Sequence, residues 1–253
     1  MIDKNSDITL VITSCGRFDL LKITLESFVK QNRYPIKRLI LTEDSGDDAV
    51  YDAIPKELSD NALIFVNSPQ LGQLKSIDLA YSHVDTDYIF HCEDDWFFYR
   101  PDFMTESKAI LEHDTSILQV RISKHDYIDG NLVKLTDRQS INGCGYYRNS
   151  GKWKGLSWNP GLRRLVDYKL LDSYTSYQSK NDTFLDVESH LNKFYVSQGM
   201  EAVFLENYVV DHIGDGRHIT MMGEKKKKLK KRLKQYSKIF GLIALGYLLG
   251  NWI

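Results

Sequence analysis

Short apolar runs that end in clusters of acids are the feature that most constrains this fold. Buried strands are predicted at residues 8–13, 38–42 and 87–92, which are rich in apolar residues and only five or six residues long. The second and third runs lead directly into acidic turns, Glu43 to Asp47 and Glu93 to Asp95. Because ligands bind at the carboxyl ends of strands in open α/β sheets, both turns are candidate binding sites.

Helical patterns lie between these strands. Residues 18–30 have apolar side chains at the spacings of a helix packed on a sheet, residues 72–82 also look helical, and residues 62–66 read as a further strand. Alternation of strand and helix predicts an α/β fold whose parallel sheet carries helices on both faces. The alternation is less regular after residue 115, where we expect a strand at 117–122, loops or short hairpins over 129–160, a helix over 183–199 and a short strand pair over 202–210.

Charge is distributed unevenly along the 253 residues. The chain has 33 basic and 34 acidic residues, a formal net charge of −1, but nine of the basic residues lie in residues 225–253, where there is no acid. Residues 1–224 therefore carry a net charge of −10, and we interpret them as one domain followed by a basic tail. A content of 42% hydrophobic residues suffices for a sizeable core and excludes a disordered or fibrous chain.

The tail, residues 225–253, is predicted to be a helix that lies on a membrane. Apolar residues recur every three or four positions from Leu229 to Tyr247 among the basic residues, and residues 239–253 are almost wholly apolar. An apolar stretch of 15 residues is shorter than the roughly 20 that span a bilayer, so we expect peripheral attachment to an anionic surface. The apolar end argues against nucleic-acid binding, and a helix packed on the body is the remaining alternative.

Cysteine usage and the N-terminus indicate the compartment. Cys15, Cys92 and Cys144 are widely spaced and form no CxxC pair, so neither a zinc site nor a disulfide framework is predicted. The polar residues 1–7 do not have the pattern of a signal peptide. Because basic segments next to a membrane face the cytoplasm, we expect a peripheral protein on the cytoplasmic face of the inner or plasma membrane.

Three consecutive carboxylates, Glu93, Asp94 and Asp95, are the strongest chemical signal in the body. Neighbouring carboxylates repel one another unless a cation neutralises them. In extended backbone, residues i and i+2 project to the same side, so Glu93 and Asp95 are placed to hold one hard divalent ion, Mn²⁺ or Mg²⁺, together with phosphate oxygens. A solvated acidic turn is the alternative, and the position at a strand end favours the metal.

The order of these motifs resembles the nucleotide-binding half of GT-A fold glycosyltransferases of the family 2-like group. The resemblance covers roughly residues 8–215, and it implies a three-layer α/β/α sandwich with a mostly parallel central sheet, followed here by the predicted amphipathic and apolar C-terminal helix. It is carried by the strand Ile8 to Ser14 with Arg17, the acidic turn Thr42 to Asp47, the series Asn67, Gly72 and Lys75, and Glu93-Asp94-Asp95 in place of a D-x-D motif.

The resemblance implies a nucleotide-sugar donor bound at the strand ends. Glu93, Asp95 and His212 would hold the metal, which stabilises the diphosphate leaving group. From the residues alone, Asp44 also fits a turn-stabilising role, Lys75 a solvated helix lysine, and Trp158 core packing. The residues that the resemblance assigns to donor binding are Thr13, Arg17, Glu43, Asp44, Lys75, Asp94, Trp158, Asn159 and Arg217.

An inverting transfer also needs a general base that deprotonates the acceptor hydroxyl. In the resembling enzymes this acid opens a helix about a dozen residues before a glycine. Counting back from Gly199 places Glu188 at that position, with Asp186 as the alternate. Acids in the first turn of a helix also interact favourably with the helix dipole, so a purely structural role is the other interpretation.

Together these features predict a metal-dependent glycosyltransferase. It would move a sugar, with inversion, from a nucleotide-sugar donor to a lipid-linked or glycan acceptor in bacterial surface polysaccharide synthesis, such as lipopolysaccharide or capsule. Two other classes stay open: a sugar-phosphate nucleotidyltransferase, although Ser14 to Arg17 lacks the glycines of its phosphate loop, and an inactive membrane-tethered glycan-binding module. A glycosidase fits less well, because the acids lie together rather than across a cleft.

Overall fold

The computed structural model describes residues 2–124, 133–180 and 182–217, which belong to one compact unit. The predicted tail helix and the predicted domain boundary at residue 224 lie outside the described residues. Within these ranges, no helix is both long enough and apolar enough to cross a membrane.

Strands and helices alternate through the first half of the described chain. The strands are β1 (Ile8–Ser14), β2 (Leu39–Glu43), β3 (Leu63–Val66), β4 (Tyr88–Glu93), β5 (Trp96–Phe98), β6 (Ile117–Arg121), β7 (Gln139–Ile141), β8 (Cys144–Tyr147), β9 (Gly161–Arg164), β10 (Glu201–Leu205) and β11 (Val210–His212). The α-helices are α1 (Phe18–Gln31), α2 (Lys56–Ser59), α3 (Gln73–Ser82), α4 (Phe103–His113), α5 (Leu165–Tyr168) and α6 (Phe184–Ser197), and 3₁₀ turns span Asp48–Ala53 and Thr175–Tyr177.

Nine of the described strands form one sheet in the order β3-β2-β1-β4-β9-β6-β10-β8-β7. Strands β3, β2, β1 and β4 are mutually parallel, and β6 and β10 run in the same direction. Strand β9 lies antiparallel between β4 and β6, and β8 lies antiparallel to β10. The sheet is therefore largely parallel, which confirms the predicted fold class. Strands β5 and β11 pair separately as a two-stranded ribbon.

Both faces of the sheet are covered by apolar side chains, because alternate residues of a strand point to opposite faces. Leu10 and Ile12 of β1 belong to the core that α1 and α4 cover. Val11, between them, belongs to the core that includes residues of α3 and α6. This three-layer packing leaves the carboxyl ends of the strands as the edge where polar groups collect.

The predicted elements of residues 8–93 are all present, with ends that differ by at most one residue. The expected strand pair over 202–210 is wrong in its pairing, since β10 belongs to the large sheet and β11 pairs with β5. The hairpin of β7 and β8 lies within the predicted loop region. Helix α4 and strand β9 were not predicted.

Candidate active site

Two acidic turns meet at one edge of the sheet. In the register of the parallel strands, Ser14 pairs with Glu43 and Thr13 pairs with Glu93. Strands β1, β2 and β4 therefore end side by side, and the turns that follow β2 and β4 project from the same edge, as predicted.

The carboxylate of Asp44 organises the loop that leads into α3. Its Oδ1 accepts hydrogen bonds from the side chain of Asn67 (3.0 Å), the backbone of Leu71 (2.8 Å) and the hydroxyl of Ser76 (3.2 Å). Its Oδ2 accepts from the backbone N–H of Gly72 (2.8 Å). Asp44 is 4% exposed. Four donors converge on this one buried carboxylate, so it shapes the start of α3, consistent with the turn-stabilising interpretation.

Glu43 performs a similar task for the turn after β1. Its Oε1 accepts hydrogen bonds from the backbone N–H groups of Gly16 (2.9 Å) and Ser45 (2.7 Å). Its Oε2 is buried and has no hydrogen-bond partner among the described residues. A buried acceptor usually has a partner, so this oxygen is available to a donor group of a ligand.

Arg17, just before α1, supplies the positive charge that the acidic turn after β4 requires. It forms ion pairs with Asp94 and, through Nη1, with Oδ2 of Asp95 at 2.7 Å. The hydroxyl of Thr24 on α1 donates to the backbone carbonyl of Asp94 (2.9 Å) and accepts from the N–H of Trp96 (3.0 Å). Helix α1 thus fixes both the backbone and the charge of this turn.

Glu93 faces α3 rather than Arg17. Its Oε1 accepts a hydrogen bond from the side chain of Gln73 (2.6 Å). Burial, together with the negative charges of Asp95 and Asp94, raises the pKa of Glu93 above its usual range. Burial likewise raises the pKa of Asp94 to about 6, even though Arg17 opposes the rise.

His212, at the end of β11, lies against the same turn. Its Nε2 is 3.2 Å from Oδ2 of Asp95 and its Nδ1 is 3.0 Å from Oδ1 of Asp215. The backbone N–H of Ile213 donates to the carbonyl of Asp95 (2.9 Å). A Cβ on Gly214 would overlap the Asp95 side chain, so only glycine allows this close approach without rearrangement.

Asp95 and His212 are the described residues that best fit a divalent cation. Oδ1 of Asp95 is buried and lacks a hydrogen-bond partner in the described part of the chain, and carboxylate with imidazole is a donor set that Mn²⁺ accepts. Burial opposes ionisation of Asp95, but the hydrogen bond to His212 and the charge of Arg17 outweigh it and lower its pKa. No group of three His, Cys, Asp or Glu side chains within the described ranges is arranged to hold a metal ion.

Glu188, in the second turn of α6, is a separate buried carboxylate. Its Oε1 accepts a hydrogen bond from the backbone N–H of Trp158 (3.1 Å), and the residue is 5% exposed. Burial raises the pKa of Glu188 to about 7, although the Trp158 N–H and the charges of Arg121 and Arg163 favour the ionised form. A carboxylate with a pKa near neutrality suits a general base.

Asp186, the alternate candidate for the base, caps helix α6 instead. Its Oδ2 accepts hydrogen bonds from the N–H (2.7 Å) and the hydroxyl (2.6 Å) of Thr183, and its own N–H donates to the Thr183 hydroxyl (3.3 Å). This reciprocal pair is a capping box. Asp186 is exposed, so the structure gives it the structural role and leaves Glu188 as the candidate base.

A comparison with protein families identifies the chain. The model of glycosyl transferase family 2 matches residues 9–175, which include β1, the two acidic turns and Trp158. The chain belongs to glycosyl transferase family 2. Family 2 is the group that the order of the motifs predicted.

Solved structures share the fold of this family 2 enzyme. The mannosyltransferase PcManGT from Pyrobaculum calidifontis, solved in complex with GDP-Man and Mn²⁺, aligns with a TM-score of 0.62 at 12% identity, over 86% of this chain and 60% of that one. S. aureus TarS, in a structure of residues 1–349, aligns with a TM-score of 0.59 at 11% identity, over 81% of this chain and 60% of that one. No curated protein matches the chain.

One predicted donor-binding side chain of the family 2 enzyme has a different place. The ring of Trp158 is 2% exposed and packs edge-on against Tyr174, with ring centroids 4.9 Å apart. Of the two roles that the sequence left open for Trp158, donor binding and core packing, the structure shows core packing for the ring. The contribution of Trp158 to the site is its backbone N–H, which binds Glu188.

The remaining predicted residues have separate surroundings. Thr13 is buried at the end of β1, and Lys75 is exposed on α3. The backbone carbonyl of Asn159 accepts a hydrogen bond from Gln119 of β6 (3.2 Å), which anchors its loop. Arg217 is exposed and pairs with Asp19 of α1 through two hydrogen bonds of 2.6 and 2.9 Å. The family 2 site therefore gathers Arg17, Asp94, Asp95 and His212 closely and leaves Lys75 at its periphery.

Sequence reasoning missed three side chains that shape this site. Gln73 binds Glu93, Thr24 fixes the turn of Asp94, and Arg121 acts electrostatically on Glu188. Gln73 directly follows Gly72 at the start of a predicted helix, and this position was a sequence signal that could have placed Gln73 near the site. Thr24 and Arg121 are polar residues in otherwise apolar patterns, and such residues are seldom fully buried unless they have a partner.

Proposed function

We propose that this glycosyltransferase is metal-dependent and transfers a sugar, with inversion, from a nucleotide-sugar donor to a lipid-linked or glycan acceptor. The observation that carries the proposal is the pairing of Asp95 with His212 at the carboxyl edge of β4, beside the unpartnered Oδ1 of Asp95. The structural likeness to an enzyme solved with GDP-Man and Mn²⁺ supports a donor of this class.

Each half of the reaction has candidate residues in this chain. Asp95 and His212, with Glu93 next to them, would hold Mn²⁺ or Mg²⁺, and the bound ion would neutralise the charge that develops on the diphosphate leaving group. Glu188 would accept the proton of the acceptor hydroxyl, and its pKa of about 7 makes the ionised form available at neutral pH. Arg17 would remain close to the phosphates as a second source of positive charge.

The setting is proposed from the tail. Its nine basic residues and apolar end favour attachment to the anionic cytoplasmic face of the inner or plasma membrane, where lipid-linked acceptors for lipopolysaccharide or capsule are built. Flotation of the full chain with phosphatidylglycerol vesicles tests this. Binding should be weak to phosphatidylcholine vesicles and should fall when the nine basic residues are replaced by glutamine. Equal binding to both vesicle types would contradict an electrostatic anchor.

The chemistry is tested with a panel of nucleotide sugars that includes GDP-mannose and UDP-linked sugars. Nucleoside diphosphate release by the full chain should require Mn²⁺ or Mg²⁺ and should fall by about 10²-fold or more in Glu188→Gln. Donor-induced thermal stabilisation should survive in Glu188→Gln and be lost in Asp95→Asn. Metal-independent release, or stabilisation by Mn²⁺ and donor that persists in Asp95→Asn, would contradict the metal assignment.

A further inference from the structure

A buried arginine lies at the end of β6, inside the large sheet. Arg121 is the last residue of β6 and is 1% exposed. Its Nε and Nη2 atoms have no hydrogen-bond partner among the described residues. An unpaired buried charge costs several kcal/mol, so a fold that retains one has a group nearby that compensates for it.

The surroundings of Arg121 fix where its guanidinium lies. In the sheet it is paired with Gly161 of β9 on one side and with Phe204 of β10 on the other. The guanidinium carbon is 4.7 Å from the centre of the Phe204 ring, a stacking distance that holds the planar group in place. Gly161 follows Trp158 by three residues, so the same segment that pairs with Arg121 also carries the N–H that binds Glu188.

Glu188 is the charged group that acts on this guanidinium. Burial lowers the pKa of Arg121 to about 10, and the negative charge of Glu188 opposes that change. Arg121 and Arg163 both favour the ionised form of Glu188 in return. Arg163 differs in one contact, since its Nη2 donates to the carbonyl of Ser157 at 3.0 Å, while its Nε and Nη1 have no hydrogen-bond partner among the described residues.

We propose that Arg121 is a positioning residue for sugar transfer: its buried guanidinium, fixed beside Phe204, favours the ionised form of the Glu188 carboxylate, which accepts the proton of the acceptor hydroxyl. This inference rests on the proposed role of Glu188 as the base. Three charged groups on three strands interact electrostatically with Glu188: Arg121 of β6, Arg163 of β9 and Glu93 of β4. Of these groups, Arg121 is the cation whose charged form is favoured by the negative charge of Glu188.

The test measures the pKa of Glu188 without substrate. The unfolding free energy of the full chain is compared with that of Glu188→Gln across pH 5 to 9, and the difference is fitted with one pKa for the unfolded state and one for the folded state. The midpoint of Glu188 ionisation in the folded state is taken from this fit. The same comparison is made in an Arg121→Met background, where the midpoint should rise by about one pH unit or more. Arg121→Lys, which keeps the charge, should restore most of the original midpoint.

Two further variants separate a local electrostatic effect from lost stability. Arg148→Met removes ion pairs with Asp114 and Glu201 elsewhere in the fold and should leave the midpoint unchanged. Phe204→Leu keeps the Arg121 charge but removes the ring beside it, so the midpoint should rise by a smaller amount. This variant provides the test if Arg121→Met does not fold. An unchanged midpoint in Arg121→Met, or in Phe204→Leu where only that variant folds, would overturn the inference.

The link to the reaction is tested by the pH profile of nucleoside diphosphate release with the donor that the nucleotide-sugar panel yields. The acidic limb of the profile should move upward in Arg121→Met by the same amount as the midpoint. A midpoint that moves while the profile does not would show that Arg121 has no part in the transfer. Full turnover in Glu188→Gln would instead overturn the proposed function, which distinguishes the two failures.

Discussion

The two acidic regions of this site are stabilised in different ways. At the strand edge, Asp44 has four hydrogen-bond donors and the 93–95 turn has Arg17, Gln73 and Thr24, so each carboxylate has close partners. Glu188 has one backbone donor and lies in the field of two buried arginines. Short-range hydrogen bonds fix geometry, whereas charges at longer range in a buried site set a protonation state. The strand edge is thus constructed for shape, and the surroundings of Glu188 favour a change of ionisation.

Removal of Asp44 should have the largest effect, because Asp44→Ala leaves four donors without their acceptor. We expect the free energy of unfolding to fall by about 3 kcal/mol in urea denaturation. Asp47→Ala, in the same acidic turn, removes an exposed cap of Ala49 and should cost about 1 kcal/mol or less. Similar losses in both variants would contradict an organising role for Asp44.

Replacement of Glu188 should affect stability in a pH-dependent way. Its pKa of about 7 in the folded protein lies above the usual 4.5, so the folded state binds its proton more tightly than the unfolded state does. The stabilisation is complete below about pH 4.5 and is lost as the pH rises through 7. Relative to Glu188→Gln, the wild type should therefore lose about 2 kcal/mol between pH 5 and pH 8. A pH-independent difference would show that Glu188 does not titrate in this range.

Gly214→Ala tests whether the close approach of Gly214 to Asp95 is needed at the strand edge. The new methyl group would displace Asp95 or the His212 loop, so we expect a loss of about 1 to 2 kcal/mol and weaker Mn²⁺-dependent donor binding, measured by thermal shift. Gly155→Ala is the control, since it creates a similar overlap with Asn192 away from the acidic turn. It should lower stability and leave the Mn²⁺ response intact, and an equal loss of response in both variants would argue against a local effect.

The smallest effect is expected from Asp186→Ala. Loss of the capping box should reduce stability by about 0.5 to 1 kcal/mol, measured by thermal or urea unfolding. Nucleoside diphosphate release should stay at the wild-type level once the protein is folded. A large loss of turnover with normal stability would return Asp186 to the catalytic candidates.

Local patterns account for what the sequence predicted and for what it did not. Strands β1 to β4 and their acidic ends follow from short-range hydrophobicity and turn chemistry, which one stretch of chain contains in full. The role of Trp158 stayed open between donor binding and core packing, because an aromatic residue in a loop looks the same in sequence whether it packs inward or outward. Strand β9 has only four residues, which are too few to show a clear alternation of apolar and polar side chains. The roles of Arg121 and Gln73 depend on partners that are 67 and 20 residues away in sequence. Helix α4, whose buried residues Phe103, Met104, Ser107, Ile110 and Leu111 have helical spacing, was open to prediction.

The position of β9 has a consequence for how the chain reaches this structure. Residues 161–164 occupy the gap between β4, which ends at Glu93, and β6, which begins at Ile117. During synthesis, one edge of β4 and one edge of β6 therefore remain unpaired until β9 is made, some 40 residues after β6. Contacts between residues that are far apart in sequence slow folding. A fragment that stops before Gly161 would expose the edge of β4, next to the acidic turn, to pairing with other chains. Strand β9 thus joins the part of the sheet that ends at Glu93 to the part that ends at Arg121.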